Sequence, residues 1–200
     1  MQELVSGLIL AGGLSSRMGR DKALVAVAGV PLLVRVAQAA RQALGPQAPL
    51  HVVTPWPERY QGLALAGAGF MREEPRQAGP LVGFAQGLAK VQTEWVLLLA
   101  CDLPGLDSAT LRSWRAQLTE VDETMLAALP RGVGLTWEPL CGFYRRRGLS
   151  VLQTYVEQGG RSFQGWLAAL PVQALASAPE GMLFNCNHPS DVLLQESALR

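Results

Sequence analysis

Short apolar runs alternate along the whole chain with segments of helical periodicity, and this alternation restricts the fold more than any other feature. Six consecutive apolar residues, Trp95–Ala100, predict a strand buried on both faces, as central strands of a parallel sheet are. A second such run, residues 5–10, stands near the amino terminus. Strands that are separated by helices form βαβ units. The sequence therefore predicts an α/β protein with a mixed, mostly parallel sheet.

The same periodicity assigns most of the chain to individual elements. Helices are predicted at residues 31–43, 58–66, 80–91, from a cap at Ser108 to about 118, and at 147–158, 162–170 and 189–197. Strands are predicted at residues 5–10, 50–54, 67–72, 95–100, 125–129, 140–144, 172–176 and 182–184, with an antiparallel pair among the later ones. Because no internal repeat or linker interrupts this pattern, we expect one domain over residues 1–200.

Charge and cysteine usage exclude several functional classes. The 17 basic and 16 acidic residues nearly balance, whereas a general nucleic-acid binder carries a basic excess. We see no apolar run long enough for a membrane span and no secretory signal pattern. The cysteines, Cys101, Cys141 and Cys186, fit neither a disulfide framework nor a zinc spacing. We expect a cytoplasmic protein that binds neither nucleic acid nor membrane.

The loop after the first strand carries the strongest functional pattern. Gly12 and Gly13 let backbone N–H groups approach an anion with no Cβ in the way, and Arg17 and Lys22 add positive charge nearby. The spacing of Gly13 and Gly19 is one residue too long for a Walker loop, and the dinucleotide fingerprint is missing. Since open α/β sheets bind ligands at the carboxyl ends of their strands, we expect a phosphate cradle of another kind here.

A carboxylate follows the central strand in the run Cys101-Asp102-Leu103-Pro104. Taken alone, Asp-x-Pro is a common turn starter, and Asp102 would then cap the turn. Beside a phosphate cradle, the same carboxylate is well placed to hold Mg²⁺, which bridges substrate phosphates. The neighbouring loop favours the metal role for Asp102.

Asn185 and Asn187 form a second polar pair near the carboxyl terminus. On a short strand, residues separated by one position point to the same face. Their amide oxygens would then complete a magnesium shell or hold water on a phosphate. The alternative is a strand-to-helix junction in which Asn187 or Ser190 caps the last helix, and both roles are compatible.

A third candidate region is the Gly79-Pro80-Leu81 turn, which opens a predicted helix with free N–H groups. Glu73 and Glu74, just before this turn, are acceptors suited to the hydrogen-bond donors of a base. The alternative is that they form a solvated acidic turn.

Three further features have weaker functional content. The arginine run 145–147 predicts a solvated helix start. The alternative is that these arginines bind the phosphate of a second substrate. Trp137 is a candidate stacking surface, and His51 is expected to be structural.

Four motifs, in order over nearly the whole chain, resemble those of the molybdenum cofactor guanylyltransferases. They read Leu10-Ala-Gly-Gly-x-Ser-Ser-Arg-Met-Gly-x-Asp-Lys22, Gly79-Pro-Leu-x-Gly83, Cys101-Asp-x-Pro104 and Asn185-x-Asn-x-Pro189. The first alone indicates the wider nucleotidyltransferase superfamily, and the others shift the resemblance to the guanylyl branch. The resemblance implies one Rossmann-like, three-layer αβα nucleotidyltransferase domain. It also implies transfer of GMP from GTP to molybdopterin, with Mg²⁺ and with release of pyrophosphate.

The resemblance also assigns individual residues. Arg17 and Lys22 would neutralise the triphosphate, Asp102 would bind GTP and Mg²⁺, and Asn185 and Asn187 would face molybdopterin or the metal. The remaining nucleotide-binding residues would be Leu10, Ala11, Gly12, Gly13, Thr54, Glu74, Gly79, Pro80 and Leu81. Thr54 and Glu74 stand where family members have asparagine and aspartate, so the residues that select guanine depart from the family pattern.

Other functions remain open from the sequence. One is a nucleotidyltransferase that uses CTP on molybdopterin, or that acts on a sugar phosphate. Another is a nucleotide-binding sensor or cofactor carrier without catalysis, although a pure binder has less need for both Lys22 and Asp102. Under the guanylyltransferase hypothesis, transient contact with other molybdenum cofactor proteins is also expected.

Overall fold

The computed structural model describes residues 5–12, 21–75, 78–132, 134 and 136–198 of the 200-residue chain. Its strands are β1 (Ser6–Leu10), β2 (Ala26–Val27), β3 (Val30–Pro31), β4 (Leu50–Thr54), β5 (Gly69–Arg72), β6 (Trp95–Ala100), β7 (Ala127–Leu129), β8 (Cys141–Arg145) and β9 (Val172–Ala174). Its α-helices are α1 (Leu32–Leu44), α2 (Pro80–Lys90), α3 (Ser108–Gln117), α4 (Leu149–Glu157), α5 (Phe163–Leu167) and α6 (Pro189–Ala198). Within the described residues, no helix combines the length and apolarity needed to cross a membrane.

The main sheet has seven strands in the order β5-β4-β1-β6-β8-β7-β9, and β2 and β3 form a separate hairpin. Within the described sheet, β8 alone runs antiparallel to its neighbours, β6 and β7. After β1 the chain adds β4 and β5 on one side and then crosses to place β6 on the other. The carboxyl ends of β1 and β6 therefore flank the point where the strand order reverses, which is where open sheets bind ligands.

The central strand β6 shows why helices cover both faces of the sheet. Leu97 and Leu99 pack into the core with α1 and α3, whereas Val96 and Leu98 pack into the core with α2 and α4. Successive side chains of a strand point to opposite faces, so a run that is apolar at every position needs a helix layer on each side. The Rossmann-like, three-layer αβα prediction with a mixed, mostly parallel sheet is confirmed.

Several predicted elements differ from the structure. The helix predicted at residues 58–66 is wrong, because only a 3-10 turn, Pro57–Arg59, and further turns form among the glycines there. Asp107, not Ser108, caps α3, since its carboxylate accepts the free N–H groups of the first turn. Residues 182 and 183 lie in a turn, and the strand predicted at residues 182–184 does not form.

Arg145 is not part of a solvated helix start. It is 6% exposed, forms an ion pair with Glu94, and places its guanidinium 4.4 Å from the ring centroid of Trp95. The antiparallel pairing of β8 with β6 sets Arg145 directly opposite Trp95. This arginine therefore belongs to the packing of the sheet.

Candidate active site

A cleft of about 540 Å³ opens at the carboxyl ends of β1 and β6, within the usual size of small-molecule sites. It brings together residues from all four sequence motifs, which are far apart along the chain. The lining residues are Leu10, Ala11, Gly12, Asp21, Lys22, Ala23, Val53, Glu73, Gly79, Pro80, Gly83, Ala100, Cys101, Asp102, Leu140, Asn185 and Asn187.

The first motif leaves the sheet at Gly12. The Ala11 N–H still donates to the Val53 carbonyl at 3.0 Å, which prolongs the pairing of β1 with β4. At Gly12 the φ angle is +138°, and a Cβ there would collide with the Pro55 ring, so only glycine fits. Gly13 and Arg17, which the sequence analysis placed in the phosphate cradle, lie outside the described residues.

Lys22 connects the first motif to two others. Its Nζ donates to Asp102 Oδ2 at 3.0 Å and to Asn187 Oδ1 at 2.5 Å. The side chains of Lys22 and Asp102 are 21% and 16% exposed, so their charges are only partly screened by water. In the described part of the chain, the other carboxylate oxygen, Asp102 Oδ1, is buried without a hydrogen-bond partner. The site thus holds an ammonium group and one unused carboxylate oxygen side by side.

Asp21 and Tyr60 hold the turn that presents Lys22. Asp21 Oδ1 accepts the Ala23 N–H at 3.1 Å, and Asp21 Oδ2 accepts the Tyr60 hydroxyl at 2.7 Å. Burial of Tyr60, and then its contact with Asp21, raise the pKa of the phenol well above its ordinary value, so it remains a donor. Sequence reasoning missed Tyr60, because no local pattern links it to a loop 39 residues away.

The opposite wall of the cleft contains Glu73 rather than Glu74. Glu73 is 9% exposed, and its Oε1 accepts the Ala78 N–H at 3.0 Å. Burial raises the pKa of Glu73, and the Ala78 N–H opposes that shift. Glu74 is exposed and outside the cleft lining, and its N–H donates to Gln86 Oε1 at 2.9 Å. Adjacent strand-end residues point in opposite directions, which places Glu73 inside and Glu74 outside.

Of the other predicted nucleotide-binding residues near this wall, some line the cleft and others do not. Gly79 caps α2 with a φ of +95°, and with Pro80 it lines the cleft. Leu81 is 1% exposed in the core, and Thr54 is fully buried with its hydroxyl accepting the Trp56 N–H at 3.1 Å. Neither Leu81 nor Thr54 lines the cleft.

Asn185 and Asn187 line the cleft, but they lie in a loop before α6 rather than on the predicted strand. The loop is held by Asp191, whose Oδ2 accepts the Asn187 N–H at 2.8 Å. The Cys186 N–H donates to the Asp102 carbonyl at 3.0 Å, so this loop is attached directly to the loop after β6. Loop packing, not strand alternation, therefore brings both amides to the site.

The donor set at Asp102 is compatible with Mg²⁺. In the described residues, no group of three or more histidine, cysteine, aspartate or glutamate side chains could hold a metal ion. Mg²⁺ needs only one or two protein carboxylates, because water and substrate phosphates supply its other ligands. The buried, unpartnered Oδ1 of Asp102 is one such ligand, and the Asn185 amide lines the same cleft.

A second cavity, of about 550 Å³, shares Asn185 and Asn187 with the first. Its other lining residues are Arg131, Gly132, Glu138, Ser177, Ala178, Pro179, Gly181, Leu183 and Phe184. Apart from the asparagine pair, this lining comes from two loops without a recognisable motif, so sequence reasoning did not find the cavity itself. The candidate site therefore consists of two cavities that meet at the asparagine pair.

Several known proteins are similar to this chain over most of its length. A family model, the MobA-like NTP transferase domain, matches residues 7–174. The chain is 53% identical to a probable molybdenum cofactor guanylyltransferase of Nostoc sp., covering 94% of this chain and 88% of that protein. It is 41% identical to a protein of the same name from Synechococcus elongatus, covering 93% and 95% of the two chains.

Solved structures show the same fold. Molybdopterin-guanine dinucleotide biosynthesis protein A from Archaeoglobus fulgidus superposes with a TM-score of 0.77 at 20% identity, covering 98% of each chain. A CMP:2-keto-3-deoxy-manno-octonic acid synthetase complexed with CTP superposes with a TM-score of 0.76 at 15% identity, again covering 98% of each chain.

Proposed function

The chain belongs to the MobA-like NTP transferase family, among its molybdenum cofactor guanylyltransferases. From this premise we propose that the protein joins GMP to molybdopterin at a site formed by its two cavities. GTP would occupy the first cavity and molybdopterin the second. The observation that carries this proposal is the Lys22–Asp102–Asn187 contact, which lies where the cavities meet. Reacting phosphates from the two substrates would meet at the same place.

The reaction is an in-line displacement at phosphorus. An oxygen of the terminal phosphate of molybdopterin bonds to the α-phosphorus of GTP, and the bond from that phosphorus to the bridging oxygen breaks. Pyrophosphate leaves with the electron pair of the broken bond. The attacking phosphate is already ionised, so no protein nucleophile or general base is needed. Catalysis then comes from positioning and from charge stabilisation by groups such as Lys22.

Asp102 would hold Mg²⁺ through its free Oδ1, with Asn185 nearby. Bound there, Mg²⁺ would neutralise charge on the phosphates. The ammonium group of Lys22, 3.0 Å from the other carboxylate oxygen, is placed to move onto a phosphate oxygen when the triphosphate enters. Asp102 then loses one cation and gains another, so its charge stays compensated.

Glu73 is the residue we assign to selection of guanine. Guanine presents N–H and NH₂ donors side by side on one edge, and an ionised carboxylate is an acceptor for both. Glu73 lines the cleft beside Gly79 and Gly83. The placement of Glu73 in the cleft supports this assignment in preference to Glu74, the candidate that the resemblance implies.

Two further proposals follow from this function. The three cysteines are buried free thiols, which suits the reducing cytoplasm in which we place the reaction. The product, a cofactor, would pass to other molybdenum cofactor proteins by transient contact.

The decisive experiment is pyrophosphate release by the purified protein with Mg²⁺ and molybdopterin, comparing GTP, CTP, ATP and UTP. Release with GTP alone supports the proposal. Release with CTP would assign a cytidylyltransferase instead. No release with any nucleotide would overturn the proposal in favour of another acceptor or a binding role, which nucleotide titration would separate.

A further inference from the structure

Glu138 is a half-buried carboxylate that the reaction at the phosphates does not use. It lines the second cavity, and within the described residues its side chain has no hydrogen-bond or ion-pair partner. Burial raises the pKa of Glu138 above its ordinary value. An acceptor that is partly removed from water without a partner costs folding free energy. Such groups concentrate at binding sites, where a ligand supplies the missing donors.

The backbone around Glu138 is well defined. Its N–H donates to the Pro130 carbonyl at 3.0 Å, and the Gly132 N–H donates to the Thr136 carbonyl at 2.8 Å. The Glu138 carboxylate lies against Gly132, where any Cβ would collide with its Oε1. The absence of a side chain at Gly132 therefore allows the carboxylate its present position in the cavity.

The facing wall, residues 177–184, is attached to the loop that carries Asp102. A Cβ on Gly105 would come within 2.8 Å of the Gly181 carbonyl oxygen, so the two loops are in close backbone contact. Phe184 in this wall is 37% exposed and contributes an aromatic ring to the cavity. One wall of the second cavity therefore packs directly against the loop that carries Asp102.

These observations favour a ligand with a planar, donor-bearing ring connected to a phosphate. The phosphate would lie at Asn185 and Asn187, which both cavities share, and the ring would extend toward Glu138. A 2-amino-4-oxopyrimidine ring carries an N–H and an NH₂ on one edge, which match the two oxygens of a carboxylate. An aromatic side chain such as Phe184 covers the face of such a ring.

We propose that Glu138 is a specificity-determining residue for the acceptor, whose 2-amino-4-oxopyrimidine ring it binds in the second cavity with Phe184 against the ring face. This inference rests on the proposed function, because that function supplies an acceptor with this ring. It assigns recognition of the two substrates to two separate carboxylates, Glu73 in the first cavity and Glu138 in the second.

Two substitutions test the assignment in different ways. Glu138→Gln removes the charge, and Gly132→Ala keeps the charge but forces the carboxylate aside. We expect each to raise KM for molybdopterin about 10- to 100-fold, as loss of charged hydrogen bonds does, while KM for GTP changes less than about twofold. Glu180→Gln is the matched control, since Glu180 is exposed beside the same wall but does not line the cavity. Melting temperatures of all variants verify folding.

A pair of ring analogues gives an independent measurement. We expect 6-hydroxymethylpterin to bind the wild-type protein, measured by its fluorescence, and to bind Glu138→Gln more weakly. We expect 6-hydroxymethyllumazine, with an oxygen in place of the 2-amino group, to bind the wild-type protein more weakly than the pterin does.

The outcomes separate the two proposals. If the wild-type protein releases no pyrophosphate, the proposed function fails, and the pterin titration still decides the role of Glu138. Unchanged KM for molybdopterin in Glu138→Gln, an equal change in Glu180→Gln, or equal binding of pterin and lumazine would each overturn the assignment.

Discussion

The two cavities are of similar size but are built differently. The first lies on the ends of parallel strands, and two of its carboxylates, Asp102 and Glu73, follow β6 and β5 within two residues. The second lies between irregular loops, and one of these, residues 177–184, packs against the loop after β6, as the contact of Gly181 with Gly105 shows. Groups that stabilise charge need the more rigid support, because small displacements weaken them strongly. Residues that select the ring of the acceptor can lie on loops.

The largest effect is expected where the cavities meet. We predict that Asp102→Ala lowers kcat for pyrophosphate release by about 10²-fold or more, as removal of a major electrostatic group does. Asp107→Ala is the control: it removes the cap of α3 and costs about 1 kcal/mol of stability, but leaves kcat near normal. Near-normal turnover of Asp102→Ala would contradict this difference between the cavities, because the carboxylate where they meet would then not stabilise charge in the reaction.

A smaller effect is expected for Lys22→Ala, which removes the cation 3.0 Å from Asp102. We predict that KM for GTP rises by about 10-fold or more, because a charged contact to the triphosphate is lost. Lys90→Ala, in the last turn of α2, should behave as wild type. Steady-state kinetics with each substrate varied would contradict this role if both KM for GTP and kcat were unchanged.

Glu73→Gln and Glu74→Gln form a matched pair that tests the boundary of the first cavity. We predict about a 10-fold rise in KM for GTP for Glu73→Gln only, with KM for molybdopterin unchanged. Equal effects of the two substitutions would show that the position of Glu73 in the cleft does not matter.

Stability and pH provide a second readout on Glu73. A carboxyl group whose pKa is raised in the folded state destabilises that state once pH exceeds the unfolded-state pKa. Glu73→Gln should therefore melt at the same or a higher temperature at neutral pH. In the wild type, KM for GTP should rise as pH falls toward the pKa of Glu73, because protonation removes the acceptor. This rise should begin at a higher pH than it would for a glutamate with an ordinary pKa.

The smallest effect is expected for Tyr60→Phe, which acts on Lys22 through Asp21. Loss of the 2.7 Å hydrogen bond should raise KM for GTP by about threefold, with KM for molybdopterin unchanged. Tyr144→Phe is the control, because it removes another buried hydroxyl, bonded to the Pro139 carbonyl, far along the chain from Lys22. If both variants lose stability alike and neither changes KM, Tyr60 has a structural role only.

Most of the fold was predictable because it depends on local patterns. The apolar runs at β1 and β6 can be buried only in a sheet with helices on both faces, and the structure confirms this arrangement. The exceptions lie where local pattern and packing disagree. The run of three arginines predicts a solvated Arg145, yet strand pairing places its guanidinium against the ring of Trp95. The helix predicted at residues 58–66 does not form, because turns follow the 3-10 turn Pro57–Arg59.

The sequence by itself determined the α/β fold and the motifs that line the first cavity, because strand burial and loop motifs are encoded by neighbouring residues. Only the tertiary structure decided that Glu73 rather than Glu74 faces the cleft, and that Tyr60 supports Lys22 through Asp21. It alone also showed Glu138 in a second cavity. The physical reason is that these positions depend on contacts between loops that are distant in sequence, whose directions are set by packing and not by local periodicity.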